Sequence, residues 1–81
     1  MEEEWYFTFN INQLDNDGNS LGGYYFAIKA KSHGEARKKM FEIRGMQWAF
    51  QYSKKEFGNQ AEEYNLKEAK KIQIQIKKTE E

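Results

Sequence analysis

His33 is the single histidine of this 81-residue chain, and cysteine is absent. General acid–base catalysis needs titratable groups gathered in a concave site. A lone histidine at the polar start of a helix is a solvated cap residue more readily than a proton shuttle. Ser20, Ser32 and Ser53 stand in turn or cap contexts with no base motif beside them, so none reads as an activated nucleophile. Asp15-x-Asp17-x-Asn19 has the first three ligand offsets of a calcium loop. Its sixth position, however, is Ser20 instead of glycine, and its twelfth is Phe26 where a bidentate glutamate belongs, so the segment reads as a hairpin loop. Gly18, Gly22 and Gly23 do not lead from a strand into a helix, as a phosphate cradle does. The chain is therefore read as a non-enzyme that uses no metal and no cofactor.

Residue types suited to binding are better represented. Lys31, Arg37, Lys38 and Lys39 make one basic face, and Lys67, Lys70, Lys71, Lys77 and Lys78 another; such faces are solvated by default and contact phosphate in some proteins. Tyr6, Thr8, Asn10, Tyr25, Lys29, Gln47 and Gln51 share the polar sides of predicted strands, a mix of rings and amides of the kind on which sheets stack bases. Tyrosine and arginine dominate binding hot spots. The candidate partner-binding residues are accordingly Tyr6, Tyr25 and Lys29 on the sheet with Arg37, Lys38 and Lys39 on a helix.

The elements that must position these residues follow from periodicity. Trp5, Phe7, Phe9 and Ile11 alternate with Tyr6, Thr8, Asn10 and Asn12, which predicts a half-buried strand over about residues 4–12. After the turn-forming run Asp15–Ser20 and Gly22-Gly23, Tyr24, Phe26, Ile28 and Ala30 alternate with Tyr25, Ala27, Lys29 and Lys31 and predict its antiparallel partner. Ser32 and Glu35 form a capping-box pair and Gly45 a stop, so a helix is predicted over 33–44 with Ala36, Met40 and Ile43 inward and Phe41 beside them. A third strand places Met46, Trp48, Phe50 and Tyr52 on one side. Ser53 caps a second helix carrying Phe57, Ala61 and Tyr64, weakened at Gly58. Ile72, Ile74 and Ile76 against Gln73, Gln75 and Lys77 predict a last strand, whose edge also suits pairing or dimerisation.

This order predicts a two-layer α+β fold, ββαβαβ, with a mainly antiparallel sheet. Helices pack on the face bearing Trp5, Phe7, Phe26, Ile28, Trp48 and Phe50, and the other face is open. A right-handed crossover puts the strands in spatial order 2-1-3, with the place of the last strand unassigned. The length allows one domain over 1–81, with flexible acidic ends at about 1–3 and 79–81. Hydrophobic residues are only 38% but aromatics are 16%, so the core is built from rings. Lysine plus arginine and aspartate plus glutamate balance at 13 each, so no global field favours nucleic acid or an anionic membrane. The distribution is uneven: five acids oppose Lys29 over residues 1–30, and seven lysines oppose four glutamates over 54–78. Without cysteine, a signal-like start or an apolar run of about 20 residues, a cytoplasmic protein without a membrane partner is expected.

Trp5-Tyr6-Phe7-Thr8-Phe9, Ala36-Arg37-Lys38-Lys39-Met40, Gly45-x-x-Trp48-Ala49-Phe50-Gln51-Tyr52 and Tyr64-Asn65-Leu66-Lys67-Glu68 together resemble a family of small uncharacterised phage and mobile-element proteins, over roughly residues 5–68. Asn10 stands where relatives often have glycine, and the Ile72–Lys78 segment extends past the usual end. The resemblance implies action inside a bacterial host. By analogy with small phage proteins, it implies binding that modulates or inhibits a host protein, a defence nuclease such as a CRISPR effector (the anti-CRISPR mode) being one such target. The alternative from another class is a small nucleic-acid-binding module using the open sheet face and the basic helix. Either a monomer or a homodimer fits.

Overall fold

Alternation carries the first two strands, but the first is shorter than its pattern. In the computed structural model, which describes residues 2–75, β1 (Glu3–Thr8) and β2 (Tyr24–Ala30) pair antiparallel, with Glu3 opposite Ala30 and Thr8 opposite Tyr25. β1 thus begins inside the segment expected to be a flexible end. It stops at Thr8 because a turn takes over the next backbone groups: Gln13 N–H donates to Asn10 O at 3.1 Å, and Asn12 N–H to Asn10 Oδ1 at 3.1 Å. Ile11, expected on the buried side, is therefore 73% exposed. The rest of the connection returns to the core through Phe9 and Leu21, both buried. Gly22 lets it pass: a Cβ there would come within 3.1 Å of the Ile11 Cα.

The first helix, α1 (His33–Arg44), has the expected bounds. Ser32 Oγ accepts the Glu35 N–H at 3.2 Å, and Glu35 reaches back to the Lys31 N–H at 2.9 Å, one residue beyond the usual box. Ala36, Met40 and Ile43 are buried, whereas Phe41 is exposed. β3 (Phe50–Ser53) lies antiparallel to β1, and β4 (Lys67–Glu68) parallel to β2, giving the order β3-β1-β2-β4. The predicted 2-1-3 arrangement is present within it, and the fold is α+β.

Three expectations about the second half need correction. Trp48 and Phe50 do not share a face. The Trp48 N–H donates to Met46 O at 2.9 Å, so the backbone over 46–49 turns instead of extending and the period of two restarts at Phe50. Trp48 keeps the α1 side, edge-on to Phe7 at 5.0 Å, while Phe50 and Tyr52 stand opposite Thr8 and Tyr6 on the other side. The second helix is two single turns, α2 (Lys54–Phe57) and α3 (Gln60–Glu63), separated where Gly58 takes φ +52°. Tyr64 is consequently exposed. The isoleucine run does not extend as a strand: Lys71–Ile74 forms one helical turn, α4, with Ile74 buried and Ile72 exposed, because side chains from distant segments bond its carbonyls, as described below. The predicted Ile76 and Lys77, with Lys78 and residues 79–81, lie outside the described residues.

The open face is the fourth correction. α1 covers the side carrying Phe7, Phe26 and Ile28, and α2 sits on the opposite side, where its buried Phe57 stacks on Tyr6 with centroids 4.4 Å apart. Among the described residues, no helix is long and apolar enough to cross a membrane.

Candidate protein-binding surface

Ser53 ends β3 and starts α2 in the same residue. Its Oγ accepts the Glu56 N–H at 3.1 Å while Glu56 Oε1 accepts the Ser53 N–H at 2.9 Å. This reciprocal cap turns the chain over the sheet at once, so the side chain one turn on, Phe57, falls on the strand rings. Phe57 is 4.4 Å from Tyr6, 5.3 Å from Tyr25 and 6.0 Å from Tyr52, centroid to centroid, and Phe50 continues the series at 6.3 Å from Tyr52. Five rings thereby run across the sheet from its β3 edge. Phe50 is 63% exposed at that edge, whereas Tyr6 and Tyr25 are half-buried.

Acids flank the tyrosines. The Tyr6 hydroxyl donates to Glu4 Oε1 at 2.7 Å, and Glu68 pairs with Tyr25 in the β2–β4 register. Burial, the bond to Glu4 and the charges of Glu4 and Glu68 push the Tyr6 phenol up to about 12, and burial followed by Glu68 raises Tyr25. Lys29 is exposed beside them, opposite Glu4 in the β1–β2 register.

The helical candidates form a separate surface across the sheet. The Arg37 guanidinium lies 5.4 Å from the centre of the Trp48 ring, and Lys38 is exposed. Lys39 Nζ donates to Lys29 O at 2.8 Å and sits 3.8 Å from carboxylates of both Glu2 and Glu35. The six residues singled out from sequence are therefore not one site: Tyr6 and Tyr25 lie under α2, while Arg37, Lys38 and Lys39 ride on α1. Sequence reading missed Phe50, Tyr52 and Phe57 as companions of the tyrosines. The Ser53-x-x-Glu56 box with Gly58 just beyond Phe57 was the available signal for a single turn folding back.

The remaining chemistry-bearing residues have structural partners. Asp15 Oδ1 accepts the N–H groups of Asp17 at 2.9 Å and Asn19 at 2.8 Å. Ser20 Oγ bridges Ile11 O and Gly22 N–H, and His33 is exposed with its ring edge-on to Trp5 at 5.8 Å. Arg44 is buried without an ion pair among the described residues. Its Nε donates to Gln47 O at 2.8 Å, Nη1 to Ile74 O at 3.0 Å and Nη2 to Leu14 O at 3.0 Å, and its guanidinium lies 5.5 Å from the Phe9 centroid. Asn16 adds Nδ2 bonds to Ile72 O and Gln75 O and an N–H bond to Gln73 O, so the hairpin loop and α1 hold the carbonyls of 72–75 together. Compared with protein-family models, curated proteins and solved structures, the chain has no match.

Proposed function

We propose that the protein acts by binding another protein through the ring-bearing side of its sheet. On this reading it modulates or inhibits a host protein in a bacterial cell, a defence nuclease being one candidate target, as the resemblance to small phage proteins implies. The observation that supports it is the five-ring series from Tyr25 to Phe50, anchored by the buried Phe57 and ending in an exposed phenylalanine at a sheet edge. Rings held rigid by their neighbours give large contact area at little entropic cost, and interface centres are enriched in them. Glu4 and Glu68 beside the tyrosines oppose phosphate, and two carboxylates and a carbonyl already occupy Lys39, so nucleic acid is the weaker reading.

The test is affinity capture from bacterial lysate with and without nuclease, using the native protein and Phe50→Lys. Capture that survives nuclease and is lost in Phe50→Lys, at unchanged melting temperature, supports the reading. Capture abolished by nuclease, or direct retention of bare DNA or RNA by the purified protein at physiological salt, overturns it.

A further inference from the structure

Among the described residues, the outer edge of β2 is paired only at its start. Lys67 N–H donates to Gly23 O at 3.0 Å and Ala69 N–H to Tyr25 O at 2.8 Å, after which the chain leaves the sheet for α4. Backbone groups of alternate strand residues point the same way, so those of Ala27 and Lys29 face the lane that β4 has left. The far end is marked by Lys39 Nζ, which occupies Lys29 O at 2.8 Å. Between these limits the Ala27 N–H, Ala27 C=O and Lys29 N–H have no hydrogen-bond partner among the described residues.

A groove of about 370 Å³ opens on the α1 side of this strand, lined by Phe26, Ile28 and Ile43 with Lys39, Glu42 and Lys71 among its other residues. Unpaired strand groups are a template for another extended backbone, whose alternate side chains then point to the two faces of the sheet. The side chain on the α1 side would enter the apolar part of the groove. Lys29 and Lys71 flank the lane with no carboxylate within 4.0 Å among the described residues, and with Lys39 they stand against Glu42 in the groove, Glu4 across the ladder from Lys29 and Glu68 at the start of the lane.

We propose that this lane is a docking site for an extended peptide segment of a partner protein, with an apolar residue seated against Phe26, Ile28 and Ile43 and acidic residues on either side of it. The lane lies at the β2 edge, away from Phe50 at the β3 edge of the sheet, so the two surfaces can be tested apart.

The probe is a capped Glu-Val-Glu-Val-Glu peptide added to the full chain, read by amide hydrogen exchange and chemical shift. Exchange at Ala27 and Lys29 should slow by about tenfold or more, the response of a bond worth about 1.4 kcal/mol. The same peptide with alternate amides methylated should have no effect, and its lysine counterpart should bind about tenfold more weakly. Ala27→Pro removes the outward N–H while leaving the β1 ladder intact, since proline is tolerated on strand edges, and should abolish the response. Phe50→Lys should leave it unchanged, which separates this site from the proposed function. The proposal is overturned if both amides are already protected without peptide, if their protection rises with protein concentration as pairing between copies would require, or if exchange does not change on adding peptide.

Discussion

Arg44 is a charge inside the fold whose partners are carbonyl oxygens, so its guanidinium serves as a three-pronged donor more than as half of an ion pair. Removing it strands those acceptors. Arg44→Met is expected to destabilise by about 3 kcal/mol, because each buried group left unsatisfied costs roughly 1–3 kcal/mol; chemical denaturation measures it, and a change under about 0.5 kcal/mol would mean the carbonyls find water instead. Tyr6 supplies a pH dependence of definite sign. Its phenol ionises near 12 in the folded chain, against about 10 in the unfolded one. The neutral form is therefore favoured by folding, and its stabilisation is complete below about pH 10 and lost as the pH rises toward 12. Melting temperatures across that window should fall less in Tyr6→Phe than in the native chain. Some slope remains in the variant because Tyr25 is raised as well.

At the scale of elements, what was readable depended on how local the determinants are. α1 was legible to the residue because Ser32, Glu35 and the Ala36, Met40, Ile43 spacing all lie within the helix or beside it. β3 was misplaced because period two was carried through 46–49, and nothing in Met46 to Ala49 announces the short Trp48-to-Met46 turn that resets it. α4 was hidden more deeply: Ile72 to Ile76 alternates well enough for a strand, and the groups that fix its carbonyls belong to Asn16, 56 residues away, and Arg44, 30 away. The candidate surface was half legible for the same reason, its two tyrosines by strand parity and its covering Phe57 not at all. The cap at Ser53 is the element-scale lever. Ser53→Ala should cost about 1 kcal/mol and loosen Phe57 from Tyr6, visible as a weakened near-ultraviolet circular dichroism signal; an unchanged spectrum would mean that ring packing alone holds α2. Glu56, whose carboxyl is held below the usual range by the Ser53 N–H, adds stability that fades as the pH falls through its lowered pKa.

Considered whole, the molecule is a thin sheet with a long helix on one side and a single turn on the other, and its two exposed features are on different faces. Burial ranks the rings. Phe57→Ala should destabilise by about 3 kcal/mol or more, whereas Phe50→Ala, at a 63% exposed position, should stay within about 0.5 kcal/mol. Equal losses in thermal denaturation would contradict the division of the ring series into anchor and contact. The donors on Asn16 and Arg44 have a consequence for synthesis. The hairpin and α1 are made first and rest on contacts of short or moderate separation, but the acceptors at residues 72–75 are translated after them, and Ile74, fully buried, comes with them. A nascent chain stopped short of that turn carries a buried cation that lacks one of its three carbonyls, Ile74 O, and a core without the Ile74 side chain. Completion of this small fold is therefore tied to the emergence of residues 72–75 from the ribosome, and a product stalled before them would be an early substrate for proteases.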